Sequence, residues 1–225
     1  MDHARVVIIG GGVGGTSIAY HLAERGWSDI VLVDRAELTS GSTFHSAGLV
    51  GQLRGTVTLT KMMMYGSDLY RRLHDETGVD PSWHEVGSIR LASSTERMEE
   101  LERQAGWAKT FGLPMDLISP TEARDRFPLM STEGVLGGVW LPTDGWLDPS
   151  GLAQALAAGA RARGASIRTG TRVVAIGTDR GRVTGVTVEH RGERSEIRAD
   201  IVVNAGGMFA PEIGRLAGVT VPIIP

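Results

Sequence analysis

Residues 6–34, VVIIGGGVGGTSIAYHLAERGWSDIVLVD, are the stretch that decides the fold of this chain. Two short apolar runs, at residues 6–9 and 30–33, flank a cluster of glycines and a segment whose apolar residues recur at helical spacing. Both runs are apolar throughout, which is typical of buried parallel strands. The order of strand, glycine turn, helix and strand therefore predicts a βαβ unit.

The glycines of this unit follow the G-x-G-x-x-G pattern at Gly10, Gly12 and Gly15. Gly10 permits a tight turn, Gly12 lets the backbone approach a pyrophosphate, and Gly15 lets the helix pack close to the strand. The helix N-terminus then offers free N–H groups and a positive dipole end to the diphosphate. Asp34 ends the second strand, where an acid accepts hydrogen bonds from a ribose. Because strands, helix and acid all accompany the glycines, the unit predicts a dinucleotide site.

The composition excludes several classes of protein. The chain has 225 residues, a formal net charge of −3 and no cysteine. This charge gives no electrostatic case for binding nucleic acid. The lack of cysteine excludes disulfides, thiolate metal sites and a cysteine nucleophile. No apolar run is long enough to span a bilayer, and the first residues are too polar for a signal peptide, so we expect a cytoplasmic protein without a membrane segment.

Caps and turn residues predict the remaining elements. We expect helices at about residues 59–76, 94–111 and 148–164, further helices that start at about residues 120 and 210, and strands at residues 86–92, 135–141, 166–168, 172–176, 183–189 and 201–203. Asp148 and Pro149 mark the clearest helix start, as a cap and a first-turn residue. The last strand runs into Ala205 and Gly206, and this second strand–glycine–helix junction would approach the same nucleotide as the first.

Two other features are interpreted as structure and not as function. Asp144 and Asp148 could suggest paired carboxylates, but a turn residue and a helix cap fit the pattern better. The run Met62-Met63-Met64 fits filler of the hydrophobic core. We expect no metal site, because no pair of histidines shows ligand spacing together with a carboxylate.

Four segments spread along nearly the whole chain carry a resemblance to a known family. They are VVIIGGGVGG, GSTFHSAGLV, PTDGWLDPSGLAQALAAGARARGA and DIVVNAGGMFAPEIGRLAGVTVPIIP. Together they resemble the N-terminal FAD-binding part of the D-amino-acid-oxidase-like superfamily, most closely the dimethylglycine and sarcosine dehydrogenases and oxidases. The second segment is the most specific, since the family has a GST-x-H pattern whose histidine carries the flavin covalently through its 8α-methyl group. The matching residue here is His45.

The resemblance also implies which residues hold the FAD. They are Val13 and Gly14 at the pyrophosphate, Asp34 and Arg35 at the adenosine ribose, Ser42, Thr43, His45 and Leu49 along the pyrophosphate, ribityl chain and isoalloxazine, and Val173 at the adenine. Phe44 occupies a position that is often small and polar in the family. Taken alone, His45 reads as an ordinary loop histidine, although a ring nitrogen there can also attack an oxidised flavin as a nucleophile.

The expected fold class is α/β: a Rossmann-like FAD-binding domain with an inserted, incomplete α+β substrate domain. We expect the FAD-binding domain to comprise residues 1–79 and 148–218, and the substrate domain residues 80–147 and 219–225. The apolar run at residues 219–225 reads as a strand just starting. The resemblance places the catalytic side chains, and the tetrahydrofolate-binding portion of many members, beyond Pro225, so that a second chain or domain would complete the fold.

The expected function is FAD-dependent oxidation of a small N-methylated amine such as dimethylglycine or sarcosine. In the family that the chain resembles, a hydride passes from the N-methyl carbon to flavin N5. Two alternatives stay open. One is another flavin-dependent amino-acid oxidase or dehydrogenase of the superfamily, and the other is a non-catalytic FAD-binding fragment or subunit. An NAD-dependent enzyme would have no use for the GSTFHSAG segment.

Overall fold

The computed structural model describes residues 2–224 and confirms a mixed α/β fold. The strands are β1 (Asp2–Ile9), β2 (Ile30–Val33), β3 (Leu49–Val50), β4 (His84–Glu85), β5 (Ser88–Ala92), β6 (Asp116–Ile118), β7 (Gly137–Leu141), β8 (Gly145–Trp146), β9 (Ser166–Arg168), β10 (Thr171–Asp179), β11 (Arg182–His190) and β12 (Glu193–Asn204). The helices are α1 (Val13–Glu24), α2 (Val57–Thr77), α3 (Thr95–Lys109), α4 (Pro120–Arg126), α5 (Pro149–Ala162) and α6 (Ala210–Leu216), with 3₁₀ turns at Thr43–His45 and Gly207–Phe209.

The residues fold as two compact units. The first comprises the residues up to Ala47, Arg72–Ser82 and the residues from Asp148 onward, and the second comprises Gly48–Arg71 and Trp83–Leu147. The first unit is built on a six-stranded sheet in the order β10-β11-β12-β1-β2-β9. Strands β12, β1, β2 and β9 run parallel, while β10, β11 and β12 form an antiparallel meander. Strand β1 therefore lies inside the sheet, between β12 and β2.

The βαβ unit predicted from residues 6–34 is β1, α1 and β2. All four residues of β2 are buried, as the continuous apolar run indicates. Helix α1 ends where Gly26 adopts a positive φ of 77°, which is the αL cap expected there. Helix α5 packs on α1 at Gly159, where a β-carbon would lie 2.7 Å from the Tyr20 ring. Close helix contact thus depends on that glycine.

The first unit gains residues that the sequence assigned elsewhere. Residues 219–224 form no strand, although a strand was expected. They fold back on α6 instead: the Val219 N–H donates to the Gly214 carbonyl oxygen at 2.9 Å, and a β-carbon on Gly214 would meet the Val221 side chain at 2.7 Å. Pro225 lies outside the described residues. These contacts place residues 219–224 in the first unit and not in the second.

The second unit takes residues 48–71, which the sequence assigned to the FAD-binding domain. Strand β3 pairs with β8, and the Leu147 N–H donates to the Gly48 carbonyl oxygen at 3.0 Å. These two contacts join the start of the segment to the end of the inserted block. Strands β3, β8 and β4 form one small sheet of this unit. The other, β5-β7-β6, packs on α3 around Leu101, Leu113 and Val139. The unit thus has a core of its own.

Two local interpretations are revised within this unit. Met62 is 62% exposed, because three consecutive helical residues cannot all face one side of α2. Asp144 is only 1% exposed. Its carboxylate accepts hydrogen bonds from the Gln52 backbone N–H at 2.8 Å and the Ser88 hydroxyl at 2.6 Å. It therefore ties three segments together and is more than a turn residue. In the first unit, Asp148 caps α5 as expected.

A candidate dinucleotide site at the carboxyl end of the main sheet

A cavity of about 790 Å³ opens in the first unit at the carboxyl ends of β1, β2 and β12. Open α/β sheets bind their ligands at this edge, and the volume falls in the range of small-molecule and cofactor sites. The cavity wall brings together these residues expected from the sequence: Gly10, Gly12, Val13, Gly14, Asp34, Arg35, Ser42, Thr43, His45, Val173, Ala205 and Gly206. Residues from distant parts of the chain thus meet around the glycine turn.

At Gly10, Gly12 and Gly15, the three glycines of the G-x-G-x-x-G pattern, a side chain does not fit. Gly10 has a φ of 122°, and a β-carbon there would lie 2.3 Å from the Ala205 carbonyl oxygen. A β-carbon on Gly15 would lie 1.9 Å from the Gly10 carbonyl oxygen. At Gly12 it would lie 2.9 Å from the Thr43 Oγ1 atom. The absent side chains therefore allow strand, helix and loop to meet at one point.

The N-terminus of α1 presents donors to the cavity. The first intrahelical bond is that of the Thr16 N–H to the Gly12 carbonyl oxygen, at 3.0 Å. The preceding amides of Val13, Gly14 and Gly15 consequently have no acceptor inside the helix. The Val13 N–H donates to Thr43 Oγ1 at 3.0 Å, and that hydroxyl keeps its own proton for donation. This arrangement suits a diphosphate, which prefers oriented N–H and O–H groups at a helix N-terminus.

Asp34 is held by the backbone on both sides of its carboxylate. The Gly11 N–H donates to Oδ2 at 2.6 Å, and the Ala36 N–H donates to Oδ1 at 2.8 Å. Each oxygen still has a lone pair, so the oriented carboxylate can accept from two ribose hydroxyls. The contribution of Gly11 was missed from the sequence, because nothing in the fingerprint pattern assigns a role to the residue between the first two glycines.

The loop that carries His45 is attached to the glycine turn. Thr39 has a positive φ of 71°, which a β-branched residue adopts only under constraint. Its N–H donates to the Gly11 carbonyl oxygen at 3.1 Å, and its hydroxyl accepts from that of Ser150 at 3.3 Å. His45 then ends the 3₁₀ turn with an exposed ring, 3.8 Å from the Phe44 ring by centroids. The loop thus sets an accessible imidazole on the cavity wall.

Two expected residues lie outside the cavity wall. Gly15 packs α1 against the turn, as described above. Leu49, which the resemblance placed along the isoalloxazine, belongs to β3 of the second unit and is 79% exposed. Its backbone is held by pairing with Trp146 in β8, and not by the loop that carries His45. Leu49 is thus assigned to the second unit, and its role at the isoalloxazine stays a prediction.

Several wall residues were not found from the sequence. Arg172 and Glu189 come from the meander, and Arg194 donates from Nε to the Glu189 carboxylate at 2.9 Å. Phe209 follows β12, and its ring lies 3.9 Å from the Arg35 guanidinium carbon. In the sequence, the one signal for Phe209 was the presence of an aromatic residue shortly after the turn at residues 204–207 (NAGG). With backbone donors at one end and apolar side chains such as Val173 in the wall, the residues fit a dinucleotide such as FAD.

No helix within residues 2–224 is long and apolar enough to cross a membrane.

Residues 5–225 match the DAO family, described as FAD dependent oxidoreductase. Human mitochondrial dimethylglycine dehydrogenase is 40% identical over 100% of this chain and 25% of its own length. Human mitochondrial sarcosine dehydrogenase is 37% identical over 98% of this chain and 24% of its own length. The names of both relatives place them in mitochondria, so the cytoplasmic location stays a prediction.

Among solved structures, L-proline dehydrogenase from P. horikoshii superposes with a TM-score of 0.89 at 29% identity, covering 99% of this chain and 58% of that one. The chain spans about a quarter of the length of the two curated relatives, which are matched over 25% and 24% of their sequences. The resemblance inferred from the four segments is thus confirmed at the level of the family. With a family match from residue 5 to residue 225, the chain belongs to the DAO family of FAD-dependent oxidoreductases.

Proposed function

We propose that this chain is the FAD-binding part of an enzyme that oxidises a small N-methylated amine such as dimethylglycine or sarcosine. The observation that carries the proposal is the cavity in which the glycine turn, the oriented carboxylate of Asp34 and His45 share one wall. The substrate class is taken from the relatives, because those with 40% and 37% identity are named for dimethylglycine and sarcosine.

In this proposal the chain's own residues bind and orient the cofactor. The amide of Gly14 and the hydroxyl of Thr43, which the Val13 N–H positions, hold the diphosphate, while Asp34 accepts from the adenosine ribose. Ala205 and Gly206 bring a second stretch of backbone close to the same dinucleotide. When bound, FAD would supply the redox chemistry by accepting a hydride from the N-methyl carbon at N5. The catalytic side chains, and any tetrahydrofolate site, are expected outside these residues.

We also infer that the flavin is attached covalently through His45. Its ring is exposed on the cavity wall at the end of a hydrogen-bonded 3₁₀ turn, so a ring nitrogen is accessible to a bound ligand. The neighbouring turn residue, Thr43, is fixed to α1 through the Val13 N–H. Imidazole nitrogen is a competent nucleophile when it is held against its target. The new bond to the 8α carbon would replace a methyl C–H bond and leave the flavin reduced by two electrons, which an external oxidant such as dioxygen would then accept.

The test is a visible spectrum of the purified protein before and after acid precipitation, with an intact mass. We expect the yellow colour to remain with the precipitate and the mass to exceed that of the polypeptide by one FAD. In His45→Ala the same cofactor should bind but be released by acid. If acid released all flavin from the wild-type chain, and His45 were unmodified in a peptide map, covalent attachment would be wrong.

A second candidate is oxidation of an unmethylated or cyclic amino acid. It is favoured by the superposition on an L-proline dehydrogenase, at 29% identity and a TM-score of 0.89. Both candidates use the same cofactor site, so flavin content does not separate them. The substrate series described in the Discussion does.

A further inference from the structure

The side chains of Arg35 and Phe209 meet across the candidate site. The guanidinium carbon of Arg35 lies 3.9 Å from the centroid of the Phe209 ring, and both residues line the cavity. Arg35 follows the end of β2, while Phe209 follows the end of β12. These two strands are not neighbours in the sheet, because β1 lies between them.

The contact therefore spans the carboxyl end of β1. Neighbouring strands are about 4.8 Å apart, so the ends of β2 and β12 are separated by roughly 10 Å. Gly10 and Gly12 emerge from β1 in that interval. A dinucleotide whose diphosphate sits on the glycine turn and whose ribose reaches Asp34 must lie next to the contact between Arg35 and Phe209.

The geometry leaves the edge of the guanidinium available to a ligand. Stacking uses the flat face of the group, whereas its five N–H donors point outward in the plane. Among residues 2–224, Arg35 has no carboxylate within ion-pair range and no hydrogen bond from its guanidinium. The aromatic ring is thus the one described partner that orients this cation.

Phe209 is itself held in place by its turn. Its N–H donates to the Gly206 carbonyl oxygen at 3.0 Å. The Asn204 side chain closes the turn from both sides, accepting from the Gly206 N–H at 3.2 Å and donating to the Ala210 carbonyl oxygen at 2.9 Å. Gly207 supplies the positive φ of 55° that the turn needs. The ring therefore acts as a fixed platform for a flexible arginine.

We propose that Phe209 and Arg35 form a clasp that retains the adenosine diphosphate half of the dinucleotide, with the ring holding the guanidinium edge toward ribose and phosphate oxygens. The proposal rests on FAD binding at this cavity and adds to it a residue, Phe209, from the far side of β1. The clasp acts before and independently of any bond to His45. Its effect is on the residence of the cofactor and not on the chemistry of oxidation.

The test measures cofactor release in the full 225-residue chain carrying His45→Ala, so that no covalent bond masks dissociation. Phe209→Leu removes the aromatic face but keeps an apolar side chain, and Arg35→Met removes the charge but keeps the stem. Each should speed FAD release about 2- to 30-fold, the range that corresponds to the strength of a cation–π contact. Phe127→Leu, the same substitution at an exposed ring that does not line the cavity, is the matched control and should stay within about twofold.

Two further readouts make the assignment specific. The double variant should release FAD no faster than the faster single variant, because the two side chains act as one unit. The affinity for ADP, which lacks the isoalloxazine, should fall by a similar factor in each single variant. Unchanged release in Phe209→Leu, effects that multiply in the double variant, or unchanged ADP affinity would each overturn the clasp. A folded wild-type chain that binds neither FAD nor ADP would instead overturn the proposed function.

Discussion

At the scale of single residues, the geometry of the glycine turn depends on positions that carry no side chain. Gly12 is the most informative, because its absent β-carbon leaves room for the Thr43 hydroxyl that the Val13 N–H contacts. The same absence lets a diphosphate approach the N-terminus of α1. One residue thus serves both the attachment of the His45 loop and the candidate cofactor site.

Gly12→Val should abolish retention of FAD, because a branched side chain would meet Thr43 Oγ1, which already lies 2.9 Å from the position of a β-carbon. The ratio of visible flavin absorbance to protein absorbance after purification measures the loss. Gly106→Val in α3 is the control, since a β-carbon there meets nothing within 4 Å. An unchanged flavin ratio in a folded Gly12→Val protein would contradict the site assignment.

At the scale of elements, Tyr20 joins helices α1, α2 and α5. It is fully buried, and its hydroxyl donates a hydrogen bond to the Glu76 carboxylate at the end of α2. Glu76 also pairs with Arg72 and Arg163, the latter from the C-terminus of α5. The hydrogen bond from Tyr20 is the largest cause that lowers the pKa of Glu76. This polar contact therefore links the helix of the candidate site to its two neighbours.

Tyr20→Phe should lower the free energy of unfolding by about 1.5–3 kcal/mol at neutral pH, the usual worth of a hydrogen bond to a charged group. Denaturation in urea at neutral pH measures the change. Tyr70→Phe is the control, because the Tyr70 hydroxyl makes no hydrogen bond among the described residues, although burial raises its pKa. Equal losses in the two variants would show that ring packing, and not the bond to Glu76, accounts for the effect.

The same contact predicts a pH dependence. Because the folded state lowers the pKa of Glu76, its stabilisation is complete above the unfolded value of about 4.3 and is lost as pH falls through the lower folded value. Glu76→Gln should therefore show a weaker loss of stability below about pH 4.3 than the wild type. Urea midpoints measured from neutral to acidic pH check this, and parallel curves for the two proteins would contradict it.

At the scale of the whole molecule, substrate choice separates the two candidate functions. Because the relatives with 40% and 37% identity are named for dimethylglycine and sarcosine, an enzyme that contains this chain as its proposed FAD-binding part should reduce its flavin faster with these N-methylglycines than with L-proline or D-amino acids. Stopped-flow bleaching of the flavin by each compound measures the preference. Rapid bleaching by L-proline or a D-amino acid, with none by the N-methylglycines, would transfer the assignment to the second candidate.

The chain by itself should bind flavin without turning over substrate. It spans 25% of dimethylglycine dehydrogenase, and Leu91 and Leu117 of its small sheet are 37% and 50% exposed. Exposed apolar sheet surface of this kind is usually covered by another segment or chain. Turnover of N-methylglycines by residues 1–225 with FAD alone, at a typical enzymatic rate of about 1–10³ per second, would refute this expectation.

The sequence by itself determined the βαβ unit and its glycine turn, because their signals are local. The φ that Gly10 and Gly26 adopt, the capping by Asp148 and the apolar runs of β1 and β2 depend on residues close in the chain. The first part of strand β12 was missed, because residues 193–196 are polar and exposed and join the strand only through pairing with β11.

Only the tertiary structure decided how distant segments meet. It assigned residues 48–71 to the second unit through pairing with β8 and returned residues 219–224 to α6. It also placed Phe209 against Arg35 across the end of β1. The physical reason is the same in each case. A strand pairing or a ring contact between remote residues depends on sheet order and side-chain direction, and local patterns of hydrophobicity and turn residues carry information on neither.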